Sequence, residues 1–79
     1  MAKTELYGTP VCPFTAEMRQ WLEWKRRDFE EYDVDADPEA LSRMLAATGG
    51  QRMIPVLLED GKATHIGWQG RACVAGIAK

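Results

Sequence analysis

The chain carries only two cysteines and one histidine in 79 residues. Two thiols cannot build the multi-bridge framework that holds small secreted domains together. Even with His65 added, they supply too few ligands for a structural zinc site, so no metal is expected. An excess of basic charge is lacking too. Ten Lys and Arg stand against twelve Asp and Glu, a net charge of −2, which excludes the footprint of a nucleic-acid binder and a polybasic membrane patch. No apolar run approaches the roughly 18 residues a membrane span needs. Met1-Ala2-Lys3-Thr4-Glu5 meets an acidic side chain before any long apolar stretch, unlike a secretory signal. Repeats, low-complexity tracts and linkers are missing as well. What is present is a 46% hydrophobic composition, which suits a folded domain and argues against disorder. The expectation is one domain over residues 1–79, cytoplasmic and monomeric, with a thin core. Cysteine, if it matters here, matters as chemistry.

Gly8-Thr9-Pro10, Asp37-Pro38, Gly49-Gly50, Asp60-Gly61, Gly67 and Gly70 punctuate the chain. Lys3–Tyr7 reads as a strand that stops at the first of these. Pro13 suits the first position of a helix, where its missing N–H costs nothing. Met18, Trp21, Leu22 and Lys25 follow on one helical face, giving a helix from Pro13 to about Arg27, with Lys25 snorkelling at its end. Phe29–Val34 alternates as a second strand. Asp37-Pro38-Glu39 is a helix start, with an N-cap, a proline and an acidic first turn. Leu41, Met44 and Leu45 form the stripe of that helix, and Gly49-Gly50 ends it. Ile54–Glu59 is a third strand, Asp60-Gly61 a two-residue hairpin turn and Thr64–Ile66 the returning strand. Gln69–Ile77 reads as a short C-terminal helix. The order β-α-β-α-β-β-α predicts an α/β fold: a four-stranded mixed sheet with helices on both faces.

Cys12 follows a strand and precedes the helix-starting Pro13. Its sulfur therefore belongs at a helix N-terminus, where free N–H groups and the positive dipole end stabilise a thiolate. The thiolate is the nucleophile of disulfide exchange. Thr15, one turn on, can direct its hydroxyl back toward that sulfur. The competing reading is an inert cysteine packed as a small hydrophobe. Ile54-Pro55 at a strand start is a candidate cis peptide. A cis bond there would leave the backbone of Ile54 open for an extended peptide to pair with.

Tyr7-Gly8-Thr9-Pro10-Val11-Cys12-Pro13-Phe14-Thr15 resembles the active-site turn of a glutaredoxin. Thr48-Gly49-Gly50-Gln51-Arg52-Met53-Ile54-Pro55-Val56 is similar to the family's segment around its cis-proline. Asp60-Gly61-Lys62 with Ile66-Gly67 resembles its last hairpin and following turn. The resemblance spans nearly the whole chain and implies a thioredoxin-like fold. Gly8-Thr9-Pro10, Gln51-Arg52 and Gly67-Trp68-Gln69-Gly70-Arg71 with Cys73 resemble a bacterial group of glutaredoxin-like proteins. Some members of that group carry selenocysteine at the position of Cys12.

What the resemblance implies is a thiol–disulfide oxidoreductase acting on glutathione or protein disulfides, with glutathione as co-substrate. Thr15 stands where dithiol members have their second cysteine, so the active site is of the monothiol type and needs an external thiol or Cys73. Pro13 and Phe14 differ from the Gly-Phe-Ser run of cluster-carrying members. Thr9 replaces a lysine near the glutathione carboxylate, and Trp68-Gln69-Gly70 replaces the turn that grips its γ-glutamyl end. Gln51 and Arg52 can hold a carboxylate by charge-assisted hydrogen bonds, or stand as a solvated loop. Ile54 and Pro55 would position the substrate. Trp68 either lines the groove or packs; Phe14 is expected at the surface beside the sulfur. Cys73 is either a resolving thiol or a core-facing cysteine of the last helix, and bonding to Cys12 requires Cα atoms within about 7 Å. Trp21 belongs to the core and His65 to the solvent side. The alternative function is a binding module: an iron–sulfur cluster carrier, pairing two protomers through Cys12 with glutathione, or an electron-donor partner.

Overall fold

The structure, a computed structural model, describes residues 3–74. Its central strand, β1 (Thr4–Gly8), is buried along its whole length. Successive side chains of a strand point to opposite faces, and here each face meets a helix. Leu6 joins Leu57, Met18 and Leu22 on one side, while Tyr7 joins Val56, Leu58, Ala40 and Met44 on the other. Met18 and Leu22 come from α1 (Pro13–Trp24), and Ala40 and Met44 from α2 (Pro38–Thr48). Parallel β2 (Glu30–Asp33) flanks β1 on one edge. Antiparallel β4 (Val56–Glu59) flanks it on the other, and β5 (Lys62–Ile66) completes the sheet in the order β2-β1-β4-β5. The four-stranded mixed sheet with a helix on each face is the expected architecture.

Both helices start as the sequence indicates. Asp37 caps α2 by accepting from the N–H groups of Glu39 and Ala40 at 3.0 and 3.2 Å. Gly49 closes it in the left-handed conformation, φ 73°. Removing a side-chain cap costs roughly 1 kcal/mol. An Asp37→Ala chain is therefore expected to lose about that much in urea unfolding, with the slope unchanged. Helix α1 ends earlier than the sequence suggests. Arg26 takes φ 58°, and the N–H groups of Arg26 and Arg27 bond back to Glu23 and Leu22, each at 3.0 Å. This closing motif usually uses glycine, so the arginine hid it. Arg27 is thereby aimed across the sheet end, where it bonds Glu59 at 2.8 Å and Thr4 Oγ1 at 3.1 Å. Its guanidinium holds the Glu59 carboxyl below the usual carboxylate range. Lys25 does turn back, its ammonium lying 4.6 Å from the centre of the Trp21 ring.

Two expectations need correction. The third strand is two strands in different sheets: β3 (Met53–Ile54) and β4, separated at Pro55, which has no N–H to donate. The C-terminal helix is not formed over its described part. Gln69 (φ 52°) and Gly70 (φ 78°) are both left-handed, and Trp68 and Arg71 exchange backbone hydrogen bonds at 2.6 and 2.9 Å around them. That is a two-residue hairpin turn. It delivers β6 (Cys73–Val74) antiparallel to β3. Tertiary pairing of a β-branched residue overrides a weak helical pattern. Ala75, Gly76 and Ile77 of the expected helix lie outside the described residues.

Candidate active site

The turn from β1 to α1 sets the position of Cys12. Its N–H bonds to the carbonyl of Thr9 at 3.3 Å, closing a turn with Pro10 in its first central position. Its own carbonyl accepts the first helical bond, from Ala16, also at 3.3 Å. Cys12 is thus the N-cap residue of α1, with Pro13 next. The sulfur sits where the sequence puts it, at a helix N-terminus. It is not an exposed thiol, however: Cys12 is 2% exposed and packs with the α2-side core.

The sulfur is bonded to Cys73. The two Cα atoms lie 6.2 Å apart across a sequence separation of 61, within the ordinary reach of a disulfide. Cys73 is half-buried and stands opposite Ile54, while Val74 stands opposite Met53. The Ile54–Pro55 bond is cis, and both side chains are buried. The carbonyl of Pro55 accepts from Gly67 N–H at 2.7 Å, which ties the last turn to the same end of the sheet. Cys12, Ile54 and Cys73 therefore pack in one cluster, with Pro55 following Ile54 in the chain. Of the two readings of Cys73, core-facing on a helix or able to reach Cys12, the geometry gives the second.

Other candidates fall differently. Thr15 is fully buried and its hydroxyl has no hydrogen-bond partner. Its side chain lies against Gly8, where a Cβ would fall on it, so it does not bond the sulfur in this oxidised state. A Gly8→Ala chain must push that buried threonine aside; the expected loss is about 1–3 kcal/mol in chemical unfolding. Phe14 is half-buried against the α2-side core rather than standing at the surface. Gln51 and Arg52 are exposed in the loop before β3, whose path is fixed by the Thr48 hydroxyl reaching the carbonyls of Met44 and Gln51 at 2.9 and 3.0 Å. Among the described residues, no ion pair or hydrogen bond engages the Arg52 side chain. Trp68 packs instead on the α1 side. Its ring lies 5.5 Å from that of Trp21, and its Nε1 donates to Glu17 at 2.9 Å. Gln69 is exposed at the tip of the hairpin turn. His65 is exposed, as expected, with its ring edge-on to Trp21.

Sequence reasoning missed the apolar rim around the disulfide. Val11 (84%), Val74 (54%) and Met53 (39%) are exposed beside it. Nothing in their periodicity marks them, because they come from three separate segments. Away from the site, Tyr7 stacks on Tyr32 at 5.0 Å, under the Arg43 guanidinium. Burial pushes the Tyr7 hydroxyl up. Donation to Glu30 pushes that of Tyr32 up to about 12.

The Glutaredoxin family model matches residues 4–65. The probable glutaredoxin ssr2061 of Synechocystis sp. is 38% identical over 66 residues, 84% of this chain and 73% of that protein. The probable glutaredoxin slr1562 of the same organism is 39% identical over 54 residues, 68% of this chain and 50% of that protein. A crystal structure of a mutant of the thioredoxin-like protein BC3987 superposes with a TM-score of 0.76 at 30% identity, over 87% of this chain and 86% of that one. The glutaredoxin of Archaeoglobus fulgidus shares the fold, with a TM-score of 0.73 at 23% identity, over 87% of this chain and 78% of that one. The fold is thioredoxin-like. The matched region includes Cys12 and Pro55 and ends before Cys73. With a helix-start cysteine and a cis-proline both inside the matched region, on this fold, the chain is a member of the glutaredoxin family.

Proposed function

We propose that this chain is a thiol–disulfide oxidoreductase that works with two cysteines, Cys12 as nucleophile and Cys73 as resolving thiol. The observation that carries the reading is the Cys12–Cys73 disulfide, formed between the N-cap of α1 and the strand opposite Ile54. In the reduced chain, the helix N-terminus favours the Cys12 thiolate. That thiolate attacks one sulfur of a substrate disulfide, forms a mixed disulfide and expels the other sulfur as a thiolate. The Cys73 thiolate then attacks the Cys12 sulfur, expels the remaining substrate thiolate and leaves the disulfide described here. Two equivalents of external thiol restore the reduced chain.

Within its active-site turn the protein is of the monothiol kind, because Thr15 occupies the second-cysteine position. Cys73 supplies the second thiol from outside that turn. Glutathione is the co-substrate the resemblance implies, and Arg52 beside β3, which has no ion-pair partner among the described residues, is a suitable partner for one of its carboxylates. Pro55 and the backbone of Ile54 would position the substrate. The resemblance to selenocysteine-containing relatives fits a position 12 chosen for redox reactivity. Among the described residues, no helix is long and apolar enough to cross a membrane, and we take the site of action to be the cytoplasm. The cluster-carrier reading is weaker, since a cluster needs the Cys12 sulfur free and the oxidised chain has joined it to Cys73.

Thiol titration with intact mass, after mixing the reduced chain with glutathione disulfide, tests the reading. The expected result is loss of both free thiols and of two hydrogens from the monomer. A chain whose two thiols survive unchanged overturns it.

A further inference from the structure

The edge of β3 is already occupied, and its occupant is the chain itself. Met53 and Ile54 pair with Val74 and Cys73 in a two-stranded sheet separate from the main one. An extended substrate would need that same edge beside Pro55. Resting on the two-cysteine reading above, we infer that β6 is a redox-operated strap: it closes the substrate edge in the oxidised chain and leaves it when Cys12–Cys73 is reduced.

The argument is one of relative holding strength. Among the described residues, β6 has two residues and makes two cross-strand pairs. A two-stranded ribbon is marginal even when longer. Val74 and Met53 remain 54% and 39% exposed, so apolar burial holds the pair only weakly. The cost of ordering each residue is comparable to the net worth of each hydrogen bond. Covalent attachment of Cys73 tips this balance toward pairing. The approach to β6 is fixed independently. Gly67 is bonded to Pro55, Trp68 is held by Glu17 and Trp21, and the Trp68–Arg71 hairpin turn is closed by its own backbone bonds. Reduction therefore frees residues 72–74 and leaves their tether in place.

A tether this short keeps the Cys73 thiol at high effective concentration near Cys12. When a substrate is joined to Cys12, attack by Cys73 on the Cys12 sulfur breaks the mixed disulfide and forms the Cys12–Cys73 bond. The substrate leaves as a thiolate. β6 returns to the edge in the same event, so closure and product release are one step.

Amide hydrogen exchange, read by NMR on the full chain, tests this. Three states are compared: oxidised, reduced with excess phosphine, and Cys73→Ser. The expected result is protection of the β3–β6 pairing in the oxidised chain and exchange about tenfold faster or more at these amides in the other two, with β1 and β4 amides unchanged. Equal protection at β3 and β6 in the oxidised and reduced chains overturns the strap. If Cys73→Ser fails to fold, the phosphine-reduced wild type still decides. Uptake of one glutathione at Cys12, followed by mass in the Cys73→Ser chain after removal of phosphine and mixing with glutathione disulfide, reports the oxidoreductase reading separately. A strap that opens on a chain whose Cys12 takes no glutathione keeps the inference and removes the reading. A reactive Cys12 with an unmoved β6 does the reverse.

Discussion

A Cys12→Ser chain is expected to lose disulfide-reducing activity by at least about a thousandfold, because the reaction has no other nucleophile at the helix start. A serine hydroxyl does not ionise near neutral pH, and the N-terminal field of α1 cannot compensate for so large a difference in acidity. The Cys73→Ser chain should behave differently. Its first turnover step survives, since Cys12 and the helix N-terminus are intact. It should stop at the mixed disulfide, visible by mass as a retained glutathione, until a second external thiol arrives. Reductase assays with a small disulfide and a thiol regenerating system separate the two variants. Equal, near-complete loss in both would show that Cys73 is needed before Cys12 reacts and would overturn the order of steps. Full activity in Cys12→Ser would remove the assignment altogether.

Reduction of the wild-type chain is expected to lower its stability by about 2 kcal/mol and its Tm by roughly 10 °C. The cross-link joins positions 61 apart, and closing a loop of that size removes on the order of 4 kcal/mol of entropy from the unfolded chain. The folded side offsets part of this. If β6 leaves β3 on reduction, the reduced native state regains the freedom of those few residues, which brings the net effect to the low end. Thermal unfolding with and without phosphine measures the difference. A fall near the full loop-closure value would mean that the strand stays paired when reduced. No fall would mean that the disulfide contributes nothing to the fold. The domain is small enough that either change should be visible against its total stability.

Much of the architecture is legible in local chemistry. Asp37-Pro38-Glu39 and Gly49 mark both ends of α2, because caps are decided by side chains within a few residues of one another. Met18 and Leu22 mark the buried face of α1 by period alone, and the core shows them buried. Asp60-Gly61 marks the β4–β5 hairpin. Cys12 is legible for the same reason: strand, turn, cysteine, proline is a local order, and it places the sulfur at a helix start in any fold that keeps those elements. The end of α1 was not legible, because Arg26 adopts a left-handed conformation that glycine would have announced. Phe14 was misplaced because its side of the first turn is decided by what packs there, and α2 packs there.

The sequence by itself determined the order of the two helices and the four strands of the main sheet, the two core faces and the helix-start position of Cys12, though not the break at Pro55 that sets β3 apart from β4. All of these depend on residues close together in the chain. The tertiary structure alone decided the fate of the last segment. Arg71–Val74 has a local pattern too weak to choose between helix and strand, and the choice is made by Met53 and Ile54, about twenty residues earlier, which offer an unpaired edge. The same pairing brings Cys73 to within 6.2 Å of Cys12 between Cα atoms. Its role could not be read from spacing, because the distance between two cysteines 61 positions apart is set by every element packed between them.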